Sequence, residues 1–215
     1  MDSSYADIEA CIIDPAAPLV IVDVDEVLAQ FMRGFGSFIG RHGFELRVDR
    51  FALFQNIYRP GEVQHLDLIA GKVLFDDFFR DGADDLMPAE GAADALADLS
   101  TRAGVVILTN APEHGRVARA KWLKTHGFDY PLVINSGPKG PSAAKLSSLT
   151  TGPSVFIDDL LPQLESVAAS APGVSRFQMV SDERLRPLAP SAPDRHARID
   201  HWPHLKTAIE ARLFA

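Results

Sequence analysis

Leu19-Val20-Ile21-Val22-Asp23-Val24-Asp25-Glu26-Val27 is an apolar, β-branched run that ends abruptly in three carboxylates. Such a run fits a strand buried on both faces of a parallel sheet, and it is too short for a helix. Four further runs share its character, so strands are predicted over 19–23, 105–109, 132–135, 155–158 and 176–180. Amphipathic helical patterns separate them, at 90–101, 113–126, 142–149, 160–171 and 204–213. Pro162 falls in the first turn of its helix, where a missing N–H is harmless. Strand and helix alternating in this way specify an α/β fold, a Rossmann-like doubly wound parallel sheet with right-handed crossovers.

The first and second strands are separated by about eighty residues, far beyond an ordinary crossover. This stretch is unusually aromatic, with Phe31, Phe35, Phe38, Phe44, Phe51, Phe54, Tyr58, Phe75, Phe78 and Phe79. Helical patterns at 29–42, 62–70 and 74–79 predict a small helical cap inserted at 30–85, with the catalytic core formed by 1–29 and 86–215. Most of the rings are expected in the cap's own core, and the remainder against a ligand. The Pro-rich stretch 186–193 reads as a loop before the last helix.

At 215 residues the chain can bury a real core. It is 47% hydrophobic and 23% charged, as a globular enzyme is. The net charge of −8 argues against a nucleic-acid polymer as partner, because phosphate backbones need clustered Lys and Arg. A small phosphorylated ligand is not excluded, since one cation and one lysine reverse the sign of a cleft. Cys11 is the sole cysteine, so a disulfide framework or thiolate metal site within the chain is excluded. Residues 1–17 lack a basic leader, and 19–22 is too short for a membrane span. The expectation is a cytoplasmic protein with no membrane partner; a homodimer is compatible with it.

Four polar clusters stand just past predicted strands: Asp23 with Asp25, Thr109 with Asn110, Lys139, and Asp158 with Asp159. The carboxyl edge of a parallel sheet is where such folds hold ligands. At Asp23 the chain leaves the strand at once, so both carboxylates of the first cluster can turn to one centre. One can attack phosphorus and bind a cation, while the other serves as general acid and base. The Thr109 hydroxyl and free N–H groups near Asn110 can hold a phosphoryl oxygen. Lys139 sits in a Gly/Pro turn that continues neither strand nor helix. Its rival, Lys145, lies within a predicted helix and is expected to face solvent. Asp158-Asp159 would complete a hard-oxygen site of the kind magnesium prefers. Taken singly, each acidic pair also fits a helix cap.

Read in order, Asp-x-Asp, Thr, Lys and Asp-Asp resemble the haloacid dehalogenase (HAD) superfamily of aspartate-dependent phosphohydrolases, over essentially the whole chain. That resemblance implies a phosphatase acting on a small phosphorylated metabolite through a phospho-aspartate. Asp23 would be nucleophile and Asp25 acid/base, with Thr109, Asn110 and Lys139 on the substrate phosphate. Mg2+ would be held by Asp23, the Asp25 carbonyl and Asp158, with Asp159 a further ligand or an acid just behind them. True haloacid dehalogenases lack the carboxylate found here at Asp25, which favours phosphate-ester hydrolysis. A response-regulator receiver uses similar groups in a different order. The stretch 23–31 (DVDEVLAQF), Leu86-Met87-Pro88 with Gly91-Ala92, and Trp202 are similar to the 5′(3′)-deoxyribonucleotidase group, which points to a nucleoside monophosphate. Glu26 and Asn110 replace the glycine and small hydroxyl residue of that group. The alternatives are a non-catalytic phospholigand-binding or scaffold protein, and a phosphoryl-transfer mutase.

Glu26 is expected either as a solvated side chain supporting the turn or as a charge at the entrance that repels polyanions. Other features read as background. Gly34-Phe35-Gly36 with Gly40 follows no strand and misses the dinucleotide spacing, and Gly137–Ser142 lacks P-loop spacing. His196, His201 and His204 are expected at the surface. Asp76-Asp77 and Asp84-Asp85 are expected on solvated faces or caps.

Overall fold

The computed structural model describes residues 3–82 and 86–215, so Asp84-Asp85 and the expected cap boundary at 85 lie outside the described residues. The decisive run forms β1 (Leu19–Val22). It pairs in parallel with β4 (Gly104–Thr109) on one side and β6 (Ser154–Asp158) on the other. Beyond these lie β5 (Leu132–Ile134), β7 (Ser175–Gln178) and β8 (Ala197–Arg198), giving the parallel order β5-β4-β1-β6-β7-β8. The two-residue β8 is an addition to the five strands read from sequence, too short to carry any periodicity.

Strand residues alternate between two apolar layers, as the two-residue period of a strand requires. Leu19, Ile21, Val106, Leu108 and Phe156 pack with Leu146, Leu164 and Val167. Those partners lie on α6 (Gly140–Ser147) and α7 (Leu161–Ser170), with α1 (Ser3–Ala10) adding Ile8. Val20, Val22, Ile107, Val155 and Ile157 join the opposite layer. That layer is covered by α4 (Ala92–Leu99), α5 (Arg116–Thr125) and α8 (Trp202–Leu213), through Leu96, Trp122, Trp202 and Leu205. Burial on both faces explains why the strands read as unbroken apolar runs. Truncating a ring such as Phe156 to alanine costs about 3–5 kcal/mol.

The insertion contains α2 (Phe31–Arg41), β2 (Glu45–Leu46), β3 (Ile57–Tyr58) and α3 (Leu68–Asp77), which runs into a π-helical turn at Phe78–Gly82. Phe31, Phe35 and Phe38 share one face of α2, and each meets Phe78 edge-on at 5.4–5.5 Å. Two sequence expectations are corrected here. Helices at 62–70 and 74–79 are instead one helix from Leu68, because the Asp67 carboxylate caps it by accepting the Ala70 N–H at 2.9 Å. The antiparallel β2–β3 hairpin was not anticipated, since two-residue strands leave no alternation to read. The Gly34/Gly36/Gly40 glycines all lie within α2, so no phosphate-binding turn forms there.

Candidate active site

Beyond β1 the chain coils about a single acceptor: the N–H groups of Val27, Leu28 and Ala29 all point at the Val24 carbonyl, at 2.8–3.2 Å. Trp202 Nε1 donates to the Val27 carbonyl at 3.0 Å, so α8 pins this coil from below. Within it Glu26 adopts φ +60, an uncommon conformation for a side chain other than glycine. Its carboxylate is 4% exposed and accepts from the Met32 N–H at 2.8 Å, and from Ser181 Oγ and the Asp182 N–H at 3.0 Å. Both sequence expectations for Glu26 therefore fail, because it is neither solvated nor free at the entrance. It ties the start of α2 to the loop after β7. Burial pushes its carboxyl up to about 7, against the pull of the Met32 and Asp182 N–H groups.

The coil leaves Asp23 at the sheet edge beside the last residues of β4 and β6, Thr109 and Asp158. Lys139 arrives from the loop after β5. Its ammonium is 2.6 Å from Asp23 Oδ1 and 2.7 Å from Asp158 Oδ2, and is only 2% exposed. Burial disfavours that charge, but the Asp158 and Asp23 carboxylates outweigh it and raise the lysine pKa. The loop is fastened at several points. Gly137 takes φ +78, and its carbonyl accepts from Asn110 Nδ2 at 2.9 Å and Asn135 Nδ2 at 3.1 Å. The Lys139 N–H donates to Gln163 Oε1 at 2.8 Å. Gly140 lies so close to α7 that a Cβ there would sit 2.3 Å from the Ser166 carbonyl oxygen. The helix expected from residue 142 starts at Gly140, directly after Lys139. Lys145 points away, 3.2 Å from Glu9 and over the Tyr5 ring.

Asp23, Asp158 and Asp159 are buried and can each present a carboxylate oxygen within 4.8 Å of the others. One lysine cannot neutralise them. Burial pushes Asp158 up to about 7, with Lys139 opposing and Asp23 adding to the rise. Burial also lifts Asp159 far above the ordinary carboxylate range, and the neighbouring Asp158 and Asp23 charges add to it. Three buried oxygen donors with surplus negative charge are a donor set for a hard divalent cation with retained waters.

Thr109 is fully buried, with its hydroxyl 3.4 Å from the Ala111 N–H. The Asn110 side chain is committed to the Gly137 carbonyl and to Asn135 Nδ2, which donates to its Oδ1 at 2.8 Å. Asn110 therefore braces the Lys139 loop with its side chain, and only its backbone remains for a ligand.

Arg119 was not singled out from sequence. It is 1% exposed on α5, and its Nη2 donates to both Asp25 oxygens, at 2.7 and 2.9 Å. The guanidinium also lies 5.0 Å from the centre of the Phe79 ring. Burial raises the Asp25 pKa and Arg119 pulls it back, while Asp23 pushes it further up. The available signal was positional: Arg119 precedes the buried Trp122 by one helical turn, on the core-facing side. The histidine expectation also changes. His201 and His204 are exposed, but His196 is buried, 3.3 Å from Glu165 Oε1 and 3.3 Å from Arg176 Nε.

A cavity of about 240 Å³ opens between this edge and the insertion, bounded by Asp23, Asp25, Lys139 and Asp159 below and by Phe31, Phe51 and Phe75 above.

No protein-family model matches the chain, and no curated protein does. Solved structures do: 73 chains match. A haloacid dehalogenase-like protein of unknown function from Agrobacterium tumefaciens is similar at 18% identity and TM-score 0.60, over 90% of this chain and 97% of that one. The chain has the haloacid dehalogenase-like fold. A HAD-superfamily hydrolase of subfamily IA from Geobacter sulfurreducens shares it at 18% identity and TM-score 0.56, over 93% and 100% of the two chains. So does the Bacillus subtilis HAD-hydrolase YfnB, described as bound to magnesium, at 14% identity and TM-score 0.57, over 90% and 99%. At these identities the HAD-like likeness is one of fold, and the chemistry rests on the residues above. No helix among the described residues is long and apolar enough to cross a membrane.

Proposed function

We propose that this protein is a magnesium-dependent phosphatase that hydrolyses a small phosphate monoester through a phospho-Asp23 intermediate. The observation that carries this reading is Lys139 held between Asp23 and Asp158, with Asp159 completing the acidic cluster. Asp23, Asp158 and Asp159, with the Asp25 carbonyl, would hold Mg2+. Bound there, the ion would offset the clustered negative charge and polarise a phosphoryl oxygen.

Asp23 attacks phosphorus as the bond to the leaving alkoxide breaks, and Asp25 gives that alkoxide its proton. Water then attacks the acyl phosphate, returns its proton to Asp25, and frees inorganic phosphate with Asp23 restored. Lys139, the Thr109 hydroxyl and the Asn110 backbone hold phosphoryl oxygens through both steps. Arg119 fixes the Asp25 carboxylate. Its charge opposes the burial that favours the protonated form, so Asp25 can both give and take a proton. Residues 30–85 would act as a cap that excludes water from the acyl phosphate.

The test is release of inorganic phosphate from a panel of sugar phosphates, nucleotides and small organic phosphates. The expected result is turnover that needs magnesium and is lost in Asp23→Asn. Binding without release would mark a phospholigand-binding protein, and transfer to a second acceptor without release would mark a mutase.

A further inference from the structure

Outside the reacting groups, every polar side chain among the described residues that line the cavity is already hydrogen-bonded within the protein. Its wall is Phe31 and Met32 from α2, Phe51 and Leu53 from the hairpin loop, Phe75 from α3, and Leu185. The remaining polar lining residues are Glu26, Asn110 and Gln163, and each is already committed. Glu26 spends both oxygens on Met32, Ser181 and Asp182. Asn110 is bound to Gly137 and Asn135, and Gln163 to Lys139 and Gly137. Among the described residues, Lys139 is the one cation that lines the cavity, and Asp23 and Asp158 share it.

The wall is also fixed in place. Phe31 stacks on Phe35 at 5.6 Å and meets Phe78 edge-on at 5.4 Å, which leaves its ring little freedom. Phe51 and Leu53 stand on an irregular loop organised from beneath by Asn56, which is fully buried. Asn56 Nδ2 donates to the carbonyls of Arg50, at 2.9 Å, and Ala52, at 2.7 Å. A fully buried amide that binds the backbone on either side of Phe51 sets where that ring points.

From these contacts we infer that the substrate's alcohol is compact, uncharged and largely apolar, and that Phe51 and Leu53, positioned by Asn56, select it. The inference rests on the phosphatase reading for the phosphate end and adds the identity of the other end. A second phosphate or a carboxylate would enter an apolar wall with no cation to meet it, and sugar hydroxyls would lose water without gaining partners. An apolar pocket rejects one added hydroxyl by no more than about a hundredfold, so the discrimination grows with the number of polar groups that must lose water. Size points the same way: at about 240 Å³, phosphate site included, the cavity is below the roughly 300–1,000 Å³ of sites for drug-sized ligands. A nucleoside monophosphate, suggested by the sequence, is disfavoured on both counts.

The test compares kcat/KM for benzyl phosphate, glucose 6-phosphate and adenosine 5′-monophosphate, all esters of primary alcohols with similar leaving groups. Benzyl phosphate is expected to lead by at least about tenfold. Phe51→Ala should cut that lead about tenfold, chiefly through KM, and Asn56→Ala should do the same from a distance. A lead for the sugar or the nucleotide would overturn the inference, as would an unchanged ranking and KM in Phe51→Ala. If none of the three, nor any ester of the wider panel, releases phosphate, the phosphatase reading fails, and calorimetry still decides the cavity's preference. Tighter binding of benzylphosphonate than of the nucleotide would uphold the inference, and equal or weaker binding would overturn it.

Discussion

The carboxyl edge of the sheet and the roof above it are built on opposite electrostatic principles. At the edge, Asp23, Asp158, Asp159 and Lys139 are buried together with surplus negative charge, which costs free energy unless a cation completes the set. In the roof, Phe31, Phe35 and Phe78 pack ring against ring, and the buried Asn56 amide is satisfied by the backbone around it. In the proposed function the edge would hold the chemistry and the roof the selectivity. Substitutions in the edge should alter kcat by orders of magnitude, and those in the roof should alter KM and ranking.

The sharpest way to break this division is Asp23→Asn, which keeps shape and removes the attacking charge. Turnover should fall by at least about three orders of magnitude, as for loss of a covalent-catalysis group, with the fold intact by circular dichroism. The paired lysines come next. Lys139→Ala leaves Asp23 and Asp158 facing each other in a buried site, and should remove activity and about 3–5 kcal/mol of stability in chemical denaturation. Lys145→Ala should change stability by less than about 0.5 kcal/mol and leave turnover alone.

Arg119→Met tests whether the edge extends into α5. Without the guanidinium the Asp25 pKa rises further, so whichever limb of the pH–rate profile Asp25 sets should move to higher pH while kcat falls about 10–100-fold. A lower kcat with an unmoved profile would reduce Arg119 to a packing role.

Smaller still is the effect of pH on stability without divalent cations. Asp158 rises from an ordinary 3.8 to about 7 in the fold, and Glu26 from 4.5 to about 7. A raised folded pKa contributes stability that is complete below the unfolded value and lost as pH climbs through the folded one. Between pH 5.5 and 8 the two groups together lose about 4 kcal/mol, at ~1.4 kcal/mol per pKa unit, so the melting temperature should fall by about 8–16 °C at ~2–4 °C per kcal/mol. Magnesium should restore more of it at pH 8 than at pH 5.5. Glu26→Gln should remove part of the slope and leave the magnesium effect in place.

The two regions also differed in how far the sequence disclosed them. Strand ends were legible because a sheet buried on both faces writes unbroken apolar runs, and the polar residues just past each run had to stand at one edge. Lys139 was separable from Lys145 because Gly137-Pro138 and Gly140-Pro141 bracket it in a turn. The roof was illegible for physical reasons. Its hairpin strands are two residues long, and its polar organiser, Asn56, contacts backbone that no pattern marks. Glu26 misled for a related cause: beside a catalytic pair, a charged residue in a turn reads as solvated. Only its positive φ and three buried donors reveal an anchor.

Asp23 is expected to carry the phosphoryl group during turnover. Turning over substrate with magnesium and quenching with borohydride reduces an acyl phosphate to the alcohol, leaving homoserine in its place, which peptide mass spectrometry can locate. Homoserine is expected at position 23 during turnover, and none in Asp23→Asn or without substrate. Phosphate release with no label at position 23, or undiminished in Asp23→Asn, would contradict it.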